Sequence, residues 1–368
     1  MKKLYEVIPY SDKQRWENEL CQFPMKDIFY FQAYSSLYLD TGDGEPNLFI
    51  YQNEGGNKII YAYFKRPIHS LPFIDKDKNG KELYDIITPP YGYGGPLYSS
   101  LNKEEMVKFR RVFEDYCQKE NIISEFIRFH PLYKNHELLN DSMDIFYDRE
   151  TVYIDLRKSE EEFLKNYHKN HRRNLQKANK YDIQFKILRK EEASVRVQEF
   201  YDLYKETMDK LNASYYSYFS VQYMESLLTN MKNHSVIGTA YYNDKLVAAA
   251  LCLYEGENIH YHLGCSKQEY LHLGINVFLF HNLSIWAKQE GFQLFHLGGG
   301  HVGRDSLFQF KHRFHQEGVL DFYIGKKIHN REIYNNLVLD WEDFYGTKLN
   351  SSFFPEYRTR PSDKVPVN

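Results

Sequence analysis

The stretch SVIGTAYYNDKLVAAALCLYEGENIHYHLG, residues 235–264, decides the fold. It reads as two strands joined across Asn243-Asp244, then a third strand after the turn EGEN. Asn and Asp accept the positive φ that a tight hairpin turn demands. Its apolar run, Leu246 to Tyr254, is far too short to span a bilayer. Downstream, INVFLFHNLSIWAKQEG carries Ile275, Leu279, Leu283 and Trp286 at helical spacing, with Gly291 where a left-handed cap belongs. The strand FQLFHLG follows. The order is hairpin, strand, helix, strand.

The first half of the chain repeats that order. NLFIYQNEGGNKIIYAYFKRP is a hairpin turning at Gly55-Gly56, and DIITPPYGYGGPLYS is extended and broken by Pro and Gly. LNKEEMVKFRRVFEDYCQKE places Met106, Phe109, Phe113 and Tyr116 on one helical stripe, and SEFIRFHPL is the next strand. The repeat predicts an α+β chain of two tandem domains with mixed, mostly antiparallel sheets flanked by helices. The expected division is 1–148, completed by 326–368, and 149–325; a chain of 368 residues is long enough for both.

Charge and composition narrow the class. Lys+Arg 47 against Asp+Glu 50 give a net charge of −3, which argues against a dedicated nucleic-acid binder but leaves room for a local basic groove, and no DNA partner is expected. Cys21, Cys117, Cys252 and Cys265 form no CxxC pair, as suits a reducing compartment. The N-terminal segment has no apolar core of a signal peptide, and a cytoplasmic location is expected. The 33 Tyr and 26 Phe suit large half-wet grooves, or else reflect a compositional habit.

Between the halves, Ser159 and Glu162 form a capping-box signature. A helix is expected from there to about Lys180, with Leu164, Tyr167, His171, Leu175 and Ala178 on one face. Lys165, Lys169, Arg172, Arg173, Lys177 and Lys180 form a basic stripe on its other sides. That stripe is either a solvated face or a rail that attracts phosphates.

HLGGGHVGRDSLFQFKHRF, residues 296–314, raises the chemistry. Three consecutive glycines suggest that the backbone of Gly298, Gly299 and Gly300 passes very close to something, and bare N–H groups there bind anionic oxygens. The chain has no GxSxG, HExxH or GxxxxGK[ST] motif, so nothing in it supports a serine hydrolase, a zincin or a P-loop enzyme. His296, His301, His312 and His315 lack the paired spacing of a zinc site, and no metal is expected.

Three segments carry a family resemblance. FLKNYHKNHRRNLQKANKYDIQF resembles the basic Arg-Asn-rich helix of the FemABX peptidyltransferases and the related BioF2-like acetyltransferases of the GNAT superfamily. GCSKQEYLHLGINVFLFHNLSIWAKQEGFQLFHLGGG resembles their second domain, and SLFQFKHRF their Phe-Lys-x-x-Phe element. The resemblance implies transfer of an aminoacyl or acyl group to an amine of a cell-wall (peptidoglycan) or surface-polysaccharide precursor. The donor would be aminoacyl-tRNA or acyl-CoA, with no tightly bound cofactor. Alternatives are a CoA-dependent N-acetyltransferase acting on an amino sugar or small amine, and a non-catalytic binding protein with the same duplicated fold.

The resemblance makes Lys311 the catalytic candidate, with Phe310 beside it. Arg173 is a candidate phosphate contact, and Tyr216 an acceptor contact. Tyr261 and His262 are expected on a strand lining the cleft. Many GNAT enzymes hold the CoA pyrophosphate with Arg/Gln-x-x-Gly-x-Gly/Ala. In Leu271–Asn276 only Gly274 fits that pattern, which disfavours CoA. Relatives that bind nucleotide-linked precursors carry a lysine after a Phe-Gln element. Here Phe31-Gln32 is followed by Asp40 and Asp43, which puts that acceptor in doubt.

Overall fold

The structure is a computed structural model that describes residues 4–74, 82–99, 103–213 and 217–360. The chain divides into two compact units, residues 1–148 with 322–368, and residues 149–321. The returning segment starts at Phe322 rather than 326, because the boundary falls inside a strand.

In chain order, unit one holds β1 (Tyr5–Pro9), α1 (Lys13–Leu20), α2 (Gln32–Ser35), β2 (Glu45–Gln52), β3 (Lys58–Pro67), β4 (Tyr84–Ile87), β5 (Leu97–Tyr98), α3 (Lys103–Lys119) and β6 (Ile122–Arg128). The strand β7 (Asp144–Asp155) leads into unit two. There follow α4 (Glu160–Asn166), α5 (Lys169–Ala178), β8 (Ile183–Arg189), α6 (Lys190–Val195), α7 (Val197–Lys210), α8 (Val221–Asn230), β9 (Ser235–Tyr242), β10 (Lys245–Glu255), β11 (Asn258–Ser266), α9 (Ile275–Gln289), β12 (Leu294–Gly299) and α10 (Ser306–His312). β13 (Val319–Ile328) and α11 (Arg331–Tyr345) return to unit one.

The strands of the two units follow one order. In unit one the order is β1-β2-β3-β4-β6-β13, with β5 also beside β3. In unit two it is β8-β9-β10-β11-β12-β7. All pairs are antiparallel except β4 with β6 and β11 with β12, the strands on either side of α3 and α9. A connection through a helix is what a parallel pair requires. At one side of each unit's strands, β13 lies against β6 and β7 against β12.

In unit two the apolar stripe of α9 packs on the sheet, with Ile275, Leu279 and Leu283 buried. Each such burial stabilises the fold by about 1.5–3 kcal/mol. Gly238 of β9 makes room for it, since a Cβ there would lie 2.5 Å from a Leu283 methyl. The small residues Ala248, Ala250 and Cys252 of β10 belong to the same core. Asn243 and Asp244 both take positive φ, as the hairpin turn needs.

In unit one, Met106, Phe109, Phe113 and Tyr116 of α3 pack against Phe49, Tyr51, Tyr61 and Tyr63. The tyrosine excess is therefore partly core, contrary to the expectation of half-wet grooves: Tyr30, Tyr34, Tyr61, Tyr63 and Tyr357 are all fully buried. Tyr63 and Tyr116 meet hydroxyl to hydroxyl at 2.6 Å, which satisfies both polar ends. A buried Arg110 donates to both carboxylate oxygens of Glu125, at 2.9 and 2.8 Å.

The expected long helix after Ser159 is two helices. The Ser159–Glu162 capping box forms as expected. The chain then turns extended at Tyr167, with ψ 135°, and restarts at α5. The break is fixed by His168, whose N–H donates to the Arg313 carbonyl at 2.8 Å and whose ring caps the Asn170 N–H. Leu164 is exposed as a result, whereas Tyr167, His171, Leu175 and Ala178 are buried.

Candidate active site

β11 and β12 pair only over Asn258–His260 and Leu294–His296. Beyond that point β11 continues along β10 to Ser266, while β12 continues along β7 to Gly299. The two central strands therefore part at His260 and His296 and leave a wedge. Tyr261 stands on one lip, and Gly298 and Gly299 form the other.

The loop after β12 is tightly held. Gly298 takes φ +71° at a register shift in the β12–β7 pairing. A Cβ on Gly299 would lie 2.7 Å from the Glu150 carbonyl oxygen. A Cβ on Gly300 would run into the Asp305 carboxylate. At Gly299 and Gly300 the atoms in close approach are therefore the protein's own Glu150 carbonyl and Asp305 carboxylate. Arg149 donates to the carbonyls of Gly300 (3.1 Å) and His301 (2.6 Å), and Arg304 pairs with Glu150. Asp305 accepts from the N–H groups of His301 (2.7 Å), Val302 (3.2 Å) and Phe308 (2.9 Å), capping α10.

α10 delivers Lys311 into the wedge. The side chain is only 5% exposed, and Nζ donates to the Gly299 carbonyl at 2.7 Å. Nζ also lies 5.4 Å from the ring centre of Tyr261. Burial pushes its pKa down to about 7, against an opposing pull from Asp305. The aromatic wall consists of Tyr261, Phe280, Phe310 and Phe314, with centroid separations of 5.0 Å for Tyr261–Phe280 and 5.7 Å for Phe280–Phe310.

Of the residues expected at the site, Lys311, Phe310, Tyr261, Gly298, Gly299 and Gly300 come together. His262 does not join them. It is the extra residue of a bulge in β11, and its ring meets the Tyr223 hydroxyl at 3.0 Å instead. Burial lowers its pKa to about 3, so it is neutral. Arg173 is exposed on α5. Tyr216 lies outside the described residues. Three of the four clustered histidines serve different partners: His312 meets the Gln316 carbonyl, His315 that of Tyr153, and His296 the ring of His260.

Two contributors escaped the sequence reading. Asp305 was visible in principle, since an Asp three residues before Phe308 is a capping signal. His171 was read only as a buried-face residue. Its Nε2 donates to the Phe310 carbonyl at 2.9 Å, and its ring packs on Phe310 and Phe314. Only the tertiary fold makes that bond apparent.

Residues 165–312 match the family model described as acetyltransferase (GNAT) domain. No curated protein matches the sequence. Among solved structures, FemX superposes with a TM-score of 0.64 at 13% identity, covering 90% of this chain and 99% of FemX. L-PGS from Bacillus licheniformis gives 0.56 at 14% identity, over 89% of this chain and 95% of that one. The C-terminal domain of a putative lysylphosphatidylglycerol synthetase from Agrobacterium fabrum gives 0.54 at 13%, over 90% and 96%. The chain has the fold of two tandem GNAT-like units, and the match to the acetyltransferase (GNAT) domain model falls within the second. Its fold is that of FemX over nearly the whole length of both chains.

Proposed function

We propose that this protein is an acyltransferase that moves an aminoacyl or acyl group onto an amine of a cell-wall or surface-polysaccharide precursor. The observation that carries the reading is Lys311, a buried cation bonded to Gly299 at the end of the wedge. In acyl transfer the acceptor nitrogen attacks the donor carbonyl, a C–N bond forms, and the carbonyl oxygen becomes an oxyanion. An ammonium has three donors, of which Gly299 takes one; the others suit that oxyanion, in a site where low dielectric strengthens the contact. Collapse then breaks the C–O or C–S bond, and the proton lost by the amine goes to the leaving oxygen or sulfur. Tyr261, Phe280 and Phe310 exclude water from one side of the acyl group.

Two observations favour an aminoacyl donor. At Gly274, where a pyrophosphate would need open backbone at the start of α9, a Cβ would lie 2.5 Å from the Asn174 carbonyl oxygen. An acceptor oxygen pressed against that turn is unfavourable for phosphate. The name lysylphosphatidylglycerol synthetase, carried by one structural neighbour, also denotes an aminoacyl product. The matched family description, acetyltransferase, favours the second reading, an N-acetyltransferase that uses acetyl-CoA.

The test is transfer of a labelled amino acid from charged tRNA, alongside labelled acetyl from acetyl-CoA, to amino-sugar and cell-wall-precursor acceptors. Wild-type turnover should fall at least about tenfold in Lys311→Ala while the fold is kept, the size expected for loss of an oxyanion contact. A fully active Lys311→Ala variant would sink the proposal.

A further inference from the structure

β11 holds a glycine that its backbone conformation does not require. Gly264 has an ordinary φ, outside the left-handed region. What it lacks is room. A Cβ there would run into the Tyr261 hydroxyl and lie 2.8 Å from the ring atoms Cε2 and Cζ. The phenol of Tyr261 is thus seated on the bare Cα of Gly264, on its own strand.

A regular strand could not arrange this, because side chains three residues apart point to opposite faces of a sheet. The bulge at His262 supplies the extra residue. Cys252 pairs with Tyr261 and Ala250 with Gly264, so three residues of β11 lie opposite two of β10. Ala250 and Cys252 both belong to the core beneath α9, and Tyr261 and Gly264 face that same side. The bulge that takes His262 away from the site therefore places Tyr261 over Gly264.

The seat fixes how far the ring reaches into the wedge. On its other sides Tyr261 meets Phe280 of α9 edge-on, at 5.0 Å, and Phe280 packs in turn on Phe310 and Phe314. Lys311 Nζ lies 5.4 Å from the centre of the Tyr261 ring. We propose that Tyr261, held in place by Gly264, is the specificity-determining residue of the acyl site, and that its ring is the wall that admits a short acyl group and turns away a bulky one. This deepens the function proposed above and rests on it.

The distances support a wall rather than a slot. Carbon atoms in contact stand about 3.5–4.0 Å apart, so a methylene held between Nζ and the ring would need about 7 Å. The 5.4 Å available admits none. A carbonyl oxygen that accepts from Nζ sits about 2.8 Å from it, and the carbons beyond that carbonyl end against the ring. Each methylene that such a wall refuses changes the rate by about tenfold or more.

Two readouts test the wall. The first needs no natural donor. An N-hydroxysuccinimide ester acylates a neutral amine, forming an amide and releasing N-hydroxysuccinimide. With its pKa at about 7, Lys311 offers that amine at about pH 8. Mass spectrometry compares labelling of Lys311 by the acetyl and the hexanoyl ester, with exposed Lys177 as the internal reference. The second readout is kcat/KM for short against bulky donors: glycyl- against leucyl-tRNA, and acetyl- against hexanoyl-CoA.

Wild type should favour the short group at least about tenfold in both. Tyr261→Ala should bring the ratio near one, and Tyr261→Phe should keep it, since the ring is the wall. Gly264→Ala should push the ring off the strand toward Lys311 and raise the ratio. Gly264→Ala combined with Tyr261→Ala should behave as Tyr261→Ala alone, because the ring is what the added methyl strikes. Circular dichroism melts check that each variant folds.

A labelling ratio that neither Tyr261→Ala nor Gly264→Ala moves overturns the proposal. If it is unmoved while Lys311-dependent transfer proceeds, the wall falls and the proposed function stands. If the labelling ratio shifts as expected while no donor of either kind supports transfer, the wall stands and the acyltransferase reading falls.

Discussion

The ammonium of Lys311 is hydrogen-bonded to the carbonyl oxygen of Gly299, twelve residues earlier and on the last residue of β12. A charge is thus held inside the protein with one neutral carbonyl for support and a carboxylate, Asp305, acting through space. Burying a cation this way costs stability unless it is paired and hydrogen-bonded, and here one carbonyl is its only direct hydrogen-bond acceptor among the described residues. A pKa near 7 leaves it half protonated close to neutrality.

Replacing Lys311 by Met should therefore stabilise the protein while abolishing turnover. The folded-state pKa, about 7, lies below the unfolded value, so the unfolded chain holds the extra proton between about pH 7 and 10.5. Wild-type stability rises with pH through that window. The advantage of Lys311→Met should be full at pH 7 and below and shrink as pH approaches 10.5. Denaturant melts of both proteins from pH 6 to 10.5 check it. A variant less stable than wild type at pH 6 would mean that Lys311 is a structural strut.

Asp305 holds the loop and tunes the lysine. Asp305→Ala should cost about 1 kcal/mol for the lost cap of α10. Removing the anion should also lower the Lys311 pKa below 7, because Asp305 is what opposes the effect of burial. If the cation is the active form, the alkaline limb of the rate profile shifts to lower pH. A rate profile with an unmoved limb would separate the two residues.

How much of this was legible in the sequence follows from the range of each signal. The duplicated strands, the α9 stripe, the Ser159–Glu162 box and the Asn243-Asp244 turn are local patterns, and each forms where the residues indicate. The break at Tyr167 was not legible, since it depends on a bond from His168 to Arg313, far along the chain. Neither was the pairing of β7 with β12 or of β13 with β6, because strand order is a long-range choice. Gly299 and Gly300 are tightly approached. Which atoms approach them, the Glu150 carbonyl and the Asp305 carboxylate, no local pattern could say.

His171 supports α10 without touching the reacting atoms, so it is a positioning residue. Burial lowers its pKa to about 4, with Arg313 and His168 adding to the effect and its bond to Phe310 opposing it. Its contribution to stability is complete above about pH 6.5 and is lost as pH falls toward 4. His171→Phe should flatten stability over that range relative to wild type. His262, buried and lowered to about 3, titrates in both proteins and cancels in the comparison. His171→Phe should also lower turnover with little change in KM, and His171→Gln, whose amide can reach the Phe310 carbonyl, should restore part of it. Equal pH-stability curves for wild type and His171→Phe would remove the claim.

The start of α9 decides how a nucleotide-linked donor fares. Gly274 takes φ +85° there and lies under the Asn174 carbonyl of α5, so the turn is closed by the protein's own backbone. Calorimetric titration with acetyl-CoA should accordingly show no saturable binding in the micromolar range. Gly274→Ala should destabilise the fold by about 1–3 kcal/mol from the left-handed backbone alone, with the contact to Asn174 adding to it. Thermal melts check that cost. Tight, one-to-one acetyl-CoA binding would instead mean that α5 moves off Gly274 when the donor arrives. In that case the search for acceptors should begin with amino sugars rather than with substrates of an aminoacyl donor.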